Sequence, residues 1–278
     1  MGGRSEPQAR IACPHPGRAA SVTAARRRPR GPCYVYGVVP STAQVPAGLC
    51  GLDGEARGVT LVGYHRIAAA VSRLPRDRPL GTPADLRAHG AVLDALARSA
   101  AVLPMRFGGV LADEDAVVTE LLEPHHVAFA ERLDRLSGHA QFTIKGRYLA
   151  DVALREVLAE SPECMRLRMR LRGREVDACR GEGIRLGELV VQALESKQTA
   201  DTSILTGTLA PYATAMAQHP KGSPDTAVDV AFLVARARQR AFEDAAEELG
   251  KCWQHRIRLR LVGPLAPYDF AQPLGRGE

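Results

Sequence analysis

The chain has 278 residues, of which 45% are hydrophobic, so it can bury one large core or two of ordinary size. No apolar run approaches the roughly 18 residues of a membrane span, and residues 1–32 contain no apolar segment typical of a secretory signal. The net charge of +6 comes from residues 1–32, with seven Arg and one Glu, because the remainder holds 30 basic and 30 acidic side chains. This balance argues against a globally basic nucleic-acid-binding surface.

Residues 1–32 are rich in Arg, Pro, Gly and Ala and contain no aromatic residue, a composition typical of disorder. We therefore predict a disordered Arg-rich tail over 1–32. Such a tail is either an arm that binds nucleic acid or an acidic surface through its charge, or an N-terminal extension without a role. We favour the extension.

The first half of the chain predicts three strands, a helix, a strand and a second helix. Short apolar runs bounded by Gly or Pro place the strands at 33–39, 59–64, 67–72 and 102–107, with a tight hairpin at 64–66. Thr82 is a suitable N-cap for the first helix, whose inner face is formed by Leu86, Leu93, Leu96 and Ala100. The second helix begins at the acidic residues 113–115 and ends at 137–138, and we expect Pro124 to kink or divide it.

The second half begins with a strand at 141–149, since apolar and polar residues alternate there. We then predict one or two helices over 183–216, a strand over 228–234, a helix over 241–253 and a strand over 256–261. Residues 165–174 are ambiguous, because strict alternation favours a strand while the residue types favour a helix. Their five Arg form either a ridge for an acidic partner or, as we favour, a solvated face. This order of elements predicts an α+β fold with a small sheet covered on one side.

Signatures of catalysis or cofactor binding are absent from the sequence. It contains no P-loop, no nucleophile elbow and no H-E-x-x-H. The glycines of 181–187 do not match a dinucleotide-binding turn, because the third glycine is one position late. His125 and His126 would point about 100° apart on a helix, and no neighbouring ligand completes a metal set. We therefore predict no enzymatic activity, no cofactor and no metal.

Two loop-forming segments, 103–109 and 263–270, carry the candidates for recognition. Arg106 follows a short strand and is either a structural anchor for the next turn, which we favour, or a contact to a partner. Phe107, Tyr268 and Phe270 are either anchors of a binding surface or residues that close the ends of the core. We list all four as candidate partner contacts: Arg106, Phe107, Tyr268 and Phe270.

The same segments belong to an ordered series of motifs. These are Tyr34-Val-Tyr-Gly-Val-Val39, Leu103-Pro-Met-Arg-Phe-Gly108, Asp113-Glu-Asp-Ala-Val117, Leu121-Leu-Glu123, the passage from Leu136 to Lys145, Ile184-Arg-Leu-Gly-Glu-Leu189, Val230-Ala-Phe-Leu-Val234 and the Gly-Pro-x-x-Pro-Tyr-x-Phe ending. On these motifs, from about Tyr34 to Phe270, the chain resembles the gas vesicle protein F/L family. Its members are accessory proteins needed to build the gas-filled protein shells of buoyant microbes. The motifs do not separate F members from L members.

The resemblance implies a two-domain α+β protein with ferredoxin-like features, and we place the domains at 33–138 and 139–272, each a mainly antiparallel sheet packed with helices. It favours a helix at 165–174. It also implies a non-enzymatic assembly protein in the cytoplasm, associated with the gas vesicle, that binds the hydrophobic main shell protein and other accessory proteins; a minor structural role in the shell is compatible. No membrane or nucleic-acid partner is expected. The alternative is a regulatory or nucleic-acid-associated protein acting through the Arg-rich tail.

Overall fold

The computed structural model describes residues 31–52, 54, 58–74, 79–149, 152–173 and 180–271. The predicted disordered tail therefore lies outside the described residues, apart from its last two positions. The described part forms two mainly antiparallel sheets packed with helices, which confirms the predicted α+β class. Among the described helices, none combines the length and apolar character needed to cross a membrane.

The first sheet is built around its central strand, β1. Its strands are β1 (Cys33–Pro40), β2 (Thr60–Tyr64), β3 (Ile67–Arg73), β4 (Leu103–Pro104) and β5 (Val110–Leu111). β2 and β3 form the predicted hairpin, with Tyr64 opposite Ile67, and β4 and β5 pair with the free side of β1. The predicted strand at 102–107 is wrong in length, because the chain leaves the sheet after Pro104 and returns only at Val110.

Helices cover both faces of the first sheet. Helix α1 (Pro83–Ala97) is capped as predicted by Thr82, whose hydroxyl accepts a hydrogen bond from the Asp85 amide at 3.2 Å. It packs on the face that carries Tyr34 and Tyr36. The predicted inner face of α1 was partly wrong: Leu86 is 52% exposed because it lies at the edge of a surface groove, and the helix ends before Ala100.

The opposite face, with Val35 and Val38, packs against a continuous helical segment. It consists of α2 (Glu114–Ala116), a π-helical turn (Val117–Leu122) and α3 (Glu123–Leu136). Asp113 caps it, since the Asp113 carboxylate accepts the Ala116 amide at 2.8 Å. Pro124, which we expected to kink or divide the helix, is the second residue of α3 and follows the π turn that interrupts the regular α-helical hydrogen bonding.

The second sheet has the order β7-β8-β6-β9. Its strands are β6 (His139–Tyr148), β7 (Ala215–Gln218), β8 (Thr226–Ala235) and β9 (Ile257–Leu265). The helices of this half are α4 (Val152–Glu160), α5 (Pro162–Leu171), α6 (Arg180–Leu209) and α7 (Gln239–Trp253). α6 and α7 cover one face of the sheet, where Phe142, Phe232 and Phe242 form the centre of the core.

The structure corrects the predicted end of α6 and resolves the ambiguous stretch at 165–174. The helical region expected over 183–216 ends at Leu209, and 215–218 form β7 because their backbone pairs with β8. The ambiguous stretch at 165–174 is helical up to Leu171, in agreement with the family resemblance. In this helix only Cys164 and Leu167 are buried, while Met165, Met169 and the Arg side chains are exposed, so the stretch is a largely solvated helix and not a strand.

The two sheets are joined directly. Leu233 of β8 packs into the core of the first sheet, and the Arg236 guanidinium donates a hydrogen bond to the Ala97 carbonyl at the end of α1. The chain after β9 also returns to the first sheet, where Ala266 is completely buried. This return places residues from the two ends of the described chain side by side.

Candidate partner-binding groove

A surface groove of about 820 Å³ lies where the loop Leu103–Gly109, α1, α3 and the segment after β9 meet. The lining residues are Leu86, His89, Gly90, Leu103, Pro104, Met105, Arg106, Phe107, Gly108, Gly109, Phe129, Arg132, Tyr268 and Ala271. Most of these side chains are apolar or aromatic, and two Arg lie among them. The groove therefore brings together three of the four candidates from the sequence: Arg106, Phe107 and Tyr268.

Backbone hydrogen bonds hold the loop Leu103–Gly109 against β1. The Met105 amide donates to the Tyr36 carbonyl, and the Gly109 carbonyl accepts the Val35 amide, both at 2.9 Å. Between these two points the Gly108 amide donates to the Tyr34 hydroxyl at 3.2 Å. Gly108 has φ +97°, a conformation that favours glycine. The loop is thus fixed at both ends and at its turn, so the side chains between them are held in place.

A group of aromatic rings supports the loop from below. Tyr34 and His89 share a hydrogen bond of 2.8 Å between Oη and Nδ1, and the Phe107 ring packs against both at centroid distances of 6.0 and 5.7 Å. Burial lowers the pKa of His89, while a hydrogen bond involving the Met105 backbone acts in the opposite direction. Burial thus disfavours the protonated ring of His89, which serves as a packed support for the loop.

The segment after β9 forms the other wall. The Ala266 amide donates to the Asp94 carboxylate of α1 at 3.0 Å, and burial raises the pKa of Asp94 despite this bond. Tyr268 is 42% exposed, but its hydroxyl end faces α1, where a Cβ on Gly90 would lie 3.9 Å from it. Burial and the nearby Asp94 carboxylate raise the pKa of Tyr268. The hydroxyl end of Tyr268 thus lies beside α1, while part of the residue remains open to solvent.

A histidine bridge fastens this wall to the second sheet. His219, just beyond β7, contacts Asp229 through Nδ1 at 2.7 Å and Asp269 through Nε2 at 2.9 Å. Partial burial acts to lower the pKa of His219, but the hydrogen bonds to both carboxylates outweigh it and raise the pKa above its ordinary value. Nothing in the sequence indicates this bridge, because no spacing rule connects positions so far apart in the chain.

The four candidate partner contacts differ in their exposure and in their contacts. Arg106 is exposed and makes no hydrogen bond or ion pair with any described residue, so the favoured role as a structural anchor finds no contact here. Phe107 is half-buried and supports the loop, whereas Tyr268 is open to solvent. Phe270 packs against the core of the first sheet and is not part of the groove lining.

A second cluster of charged side chains lies away from the groove. The Arg256 guanidinium binds Asp201 at 2.6 Å and Glu156 at 2.9 Å, and the Tyr148 hydroxyl donates to Asp201 at 2.6 Å. Lys197 joins the cluster through Glu156 at 3.1 Å. These ion pairs and hydrogen bonds connect α4, α6 and the second sheet, so the cluster stabilises the packing of these elements. Within the described residues, no group of three or more His, Cys, Asp and Glu could hold a metal ion.

Comparisons with known proteins agree with this architecture. Residues 32–272 match the family model described as gas vesicle synthesis protein GvpL/GvpF. The chain is 32% identical over 247 residues to gas vesicle protein F of Streptomyces sp. (strain CB03234), covering 86% of this chain and 99% of that protein. It is 30% identical over 267 residues to gas vesicle protein L of the same strain, covering 86% and 92%.

A solved structure shares the fold. The crystal structure of the gas vesicle protein GvpF from Anabaena sp. PCC7120 matches with a TM-score of 0.74 at 24% identity, covering 87% of this chain and 98% of that chain. At this identity the likeness supports the fold, while the family model and the Streptomyces relatives establish the relationship. This chain belongs to the GvpL/GvpF family of gas vesicle synthesis proteins.

Proposed function

We propose that this protein is a non-enzymatic assembly factor that binds the hydrophobic main shell protein of the gas vesicle through the groove. Family membership supports a gas-vesicle-related role. The observation that carries the finer proposal is the groove itself, where Leu86, Met105, Phe107 and Tyr268 offer apolar surface beside Arg106. In this proposal the protein acts in the cytoplasm, in association with the vesicle, together with other accessory proteins.

The size and lining of the groove suit a protein partner. A volume of about 820 Å³ accommodates several side chains, as when an amphipathic helix inserts its apolar residues into a groove. Methionine adapts to irregular partner surfaces, and aromatic and Arg side chains are enriched among residues that dominate binding. Tyr268 and Arg106 are the contacts we propose to be most direct, while Phe107 and Phe270 support the surface from the core.

A masking role is physically coherent. A shell subunit with a large exposed apolar face aggregates when it is free, because such a face is favourably buried against any other apolar surface. A partner that covers part of this face until incorporation keeps the subunit available for growth. The proposed domains at 33–138 and 139–272 would form a single unit for this task, since the groove depends on residues from both.

Co-expression of the full chain with the main shell protein tests the proposal. We expect the shell protein to remain in the soluble fraction and to co-purify with this chain, and the Tyr268→Ser variant to recover less of it. A shell protein that aggregates equally with and without this chain would contradict direct binding. The alternative, action on nucleic acid through the Arg-rich tail, predicts salt-dependent binding to DNA that is lost when residues 1–32 are removed.

A further inference from the structure

Four basic side chains face each other across β6 and β9 on one face of the second sheet. In the antiparallel register Lys145 lies opposite Arg260, and Arg147 lies opposite Arg258. Cross-strand partners project from the same face, and like charges placed directly opposite each other are destabilising. All four residues are exposed. The like-charged pairs therefore do not by themselves stabilise the pairing of β6 with β9.

Carboxylates neutralise the two basic residues on β6 but not the two on β9. Lys145 pairs with Asp229 and Arg147 pairs with Asp225, each at 3.5 Å. Arg258 and Arg260 on β9 form no ion pair with any residue that the structure describes. The unneutralised positive charge is thus concentrated on β9, and β9 is the last strand on its side of the sheet.

The opposite face of β9 borders an apolar groove. This second groove, of about 700 Å³, lies between β9 and α7 and is lined by Ile144, Ala246, Leu259 and Leu261. Leu261 is 38% exposed, so apolar surface is open beside the strand. Glu243, Glu247 and Lys251 of α7 and Arg258 of β9 also line this groove, and Lys251 pairs with Glu247 at 3.1 Å, so these charges partly neutralise each other. The edge of β9 therefore has a basic side and an apolar side.

We propose that β9 is a docking edge for an extended protein segment in which acidic and apolar residues alternate. An added strand pairs its backbone with the free edge of a sheet, and its side chains alternate between the two faces. Apolar residues would enter the groove beside Leu261, while acidic residues would meet Arg258 and Arg260. This surface is separate from the first groove, so the proposal does not depend on the shell-binding function.

A nucleic acid fits this edge less well than a protein segment does. Asp225 and Asp229 lie within the basic patch and would repel a phosphate backbone, and the patch carries no aromatic side chain for base stacking. The apolar groove on the other face would also remain unused. A second interpretation is that Arg258 and Arg260 only guard an edge strand against aggregation, since charged residues commonly have this role.

Peptide binding to the full-length protein distinguishes peptide docking from nucleic-acid binding and from protection of the edge strand. The probe is a short fluorescent peptide that alternates glutamate with valine, and binding is followed by fluorescence anisotropy. One control peptide replaces valine by serine and the other replaces glutamate by lysine. We expect the Glu/Val peptide to bind at least about tenfold more tightly than either control, because both faces of the strand contribute.

Matched charge variants locate the site. Arg258→Glu combined with Arg260→Glu should weaken Glu/Val peptide binding at least about tenfold. Arg168→Glu combined with Arg172→Glu makes the same change in net charge on exposed positions of α5 and the turn after it, and it should leave binding unchanged. Because these are exposed positions, thermal unfolding should show both double variants to be folded. Equal binding by the two variants would overturn the proposal.

Hydrogen exchange supplies a second readout that does not depend on a variant. Backbone amides of residues 257–261 should become more protected when the Glu/Val peptide is added, since a new strand pairs with this edge. Absence of binding or of added protection would contradict the docking proposal. The role of Arg258 and Arg260 would then be to protect the edge strand against aggregation. Tighter binding of a single-stranded oligonucleotide than of the Glu/Val peptide, lost in the β9 variant, would overturn it in favour of nucleic acid.

Discussion

Gln141 of β6 and Asp269 exchange two hydrogen bonds across 128 positions of the chain. The Gln141 side-chain amide donates to the Asp269 carboxylate at 2.6 Å, and the Asp269 backbone amide donates to the Gln141 side-chain oxygen at 3.1 Å. Gln141 is only 3% exposed, so its polar atoms depend on this partner. The pair fixes the segment that carries Tyr268 and therefore one wall of the first groove.

Replacement of Asp269 by Ala should lower the free energy of unfolding by about 2–3 kcal/mol. The change removes the nearer acceptor of the buried Gln141 amide, which keeps only the Thr143 hydroxyl at 3.4 Å, and it removes the Nε2 partner of His219. Urea unfolding of the variant and the wild type measures the difference. Asp244→Ala, at an exposed position of α7, is the control and should shift stability by less than about 0.5 kcal/mol. Similar losses in the two variants would contradict the role assigned to Asp269.

The His219 bridge predicts a defined dependence on pH. The pKa of His219 is raised in the folded state, so the protonated ring is bound more tightly there than in the unfolded chain. Its contribution to stability is therefore complete below the ordinary value of 6.5 and is lost as pH rises through the folded pKa. The difference in unfolding free energy between wild type and His219→Asn should shrink over that range. A difference that stays constant over this range would contradict the role assigned to the bridge.

Gly37 allows the loop Leu103–Gly109 to approach β1. A Cβ at Gly37 would lie 2.6 Å from the Leu103 carbonyl oxygen and 2.8 Å from the Leu93 side chain, and the backbone contact cannot easily yield. Gly37→Ala should therefore cost about 1–3 kcal/mol and displace the loop. Gly63→Ala is the matched change in β2, where a Cβ would meet no atom within 4 Å. Chemical denaturation that gives the two variants equal stability would rule out this packing constraint.

Leu86 and Ile184 distinguish specific from general hydrophobic binding. Leu86 is 52% exposed at the edge of the first groove, and Ile184 is 58% exposed on α6 outside its lining. Both Leu86→Gln and Ile184→Gln should change stability by less than about 0.5 kcal/mol. Only Leu86→Gln should reduce the amount of shell protein that co-purifies with this chain. Equal reduction by the two variants would indicate non-specific adhesion to exposed apolar residues.

Sequence patterns predicted the elements in which one face is buried and the other is solvated. The alternation in β6 is an example, because Phe142 and Ile144 are buried beneath the helices while Lys145 and Arg147 are exposed. β7 escaped prediction because Ala215–Gln218 contains no β-branched or aromatic residue, and its backbone pairing with β8 determines its conformation. Tertiary pairing of this kind leaves little trace in a local pattern.

The first groove was predictable only in part. Aromatic and glycine residues in two loops identified Phe107 and Tyr268, and the family motifs drew attention to the same segments. The contribution of His89 and Phe129 depends on how α1 and α3 pack beside the loop, which no spacing within either helix specifies. The partnership of His219 with Asp269 likewise arises from the return of the chain after β9.

That return has a consequence for the order of events during synthesis. The core of the first sheet is complete only when Ala266 has been inserted beside α1, and the groove needs Tyr268 to form its wall. The ribosome must therefore produce the whole second sheet before the surface made by residues 103–109 can close. Until that moment the nascent chain has the loop Leu103–Gly109 but not the groove, so in the proposed function the shell protein would engage this surface only after translation has passed β9.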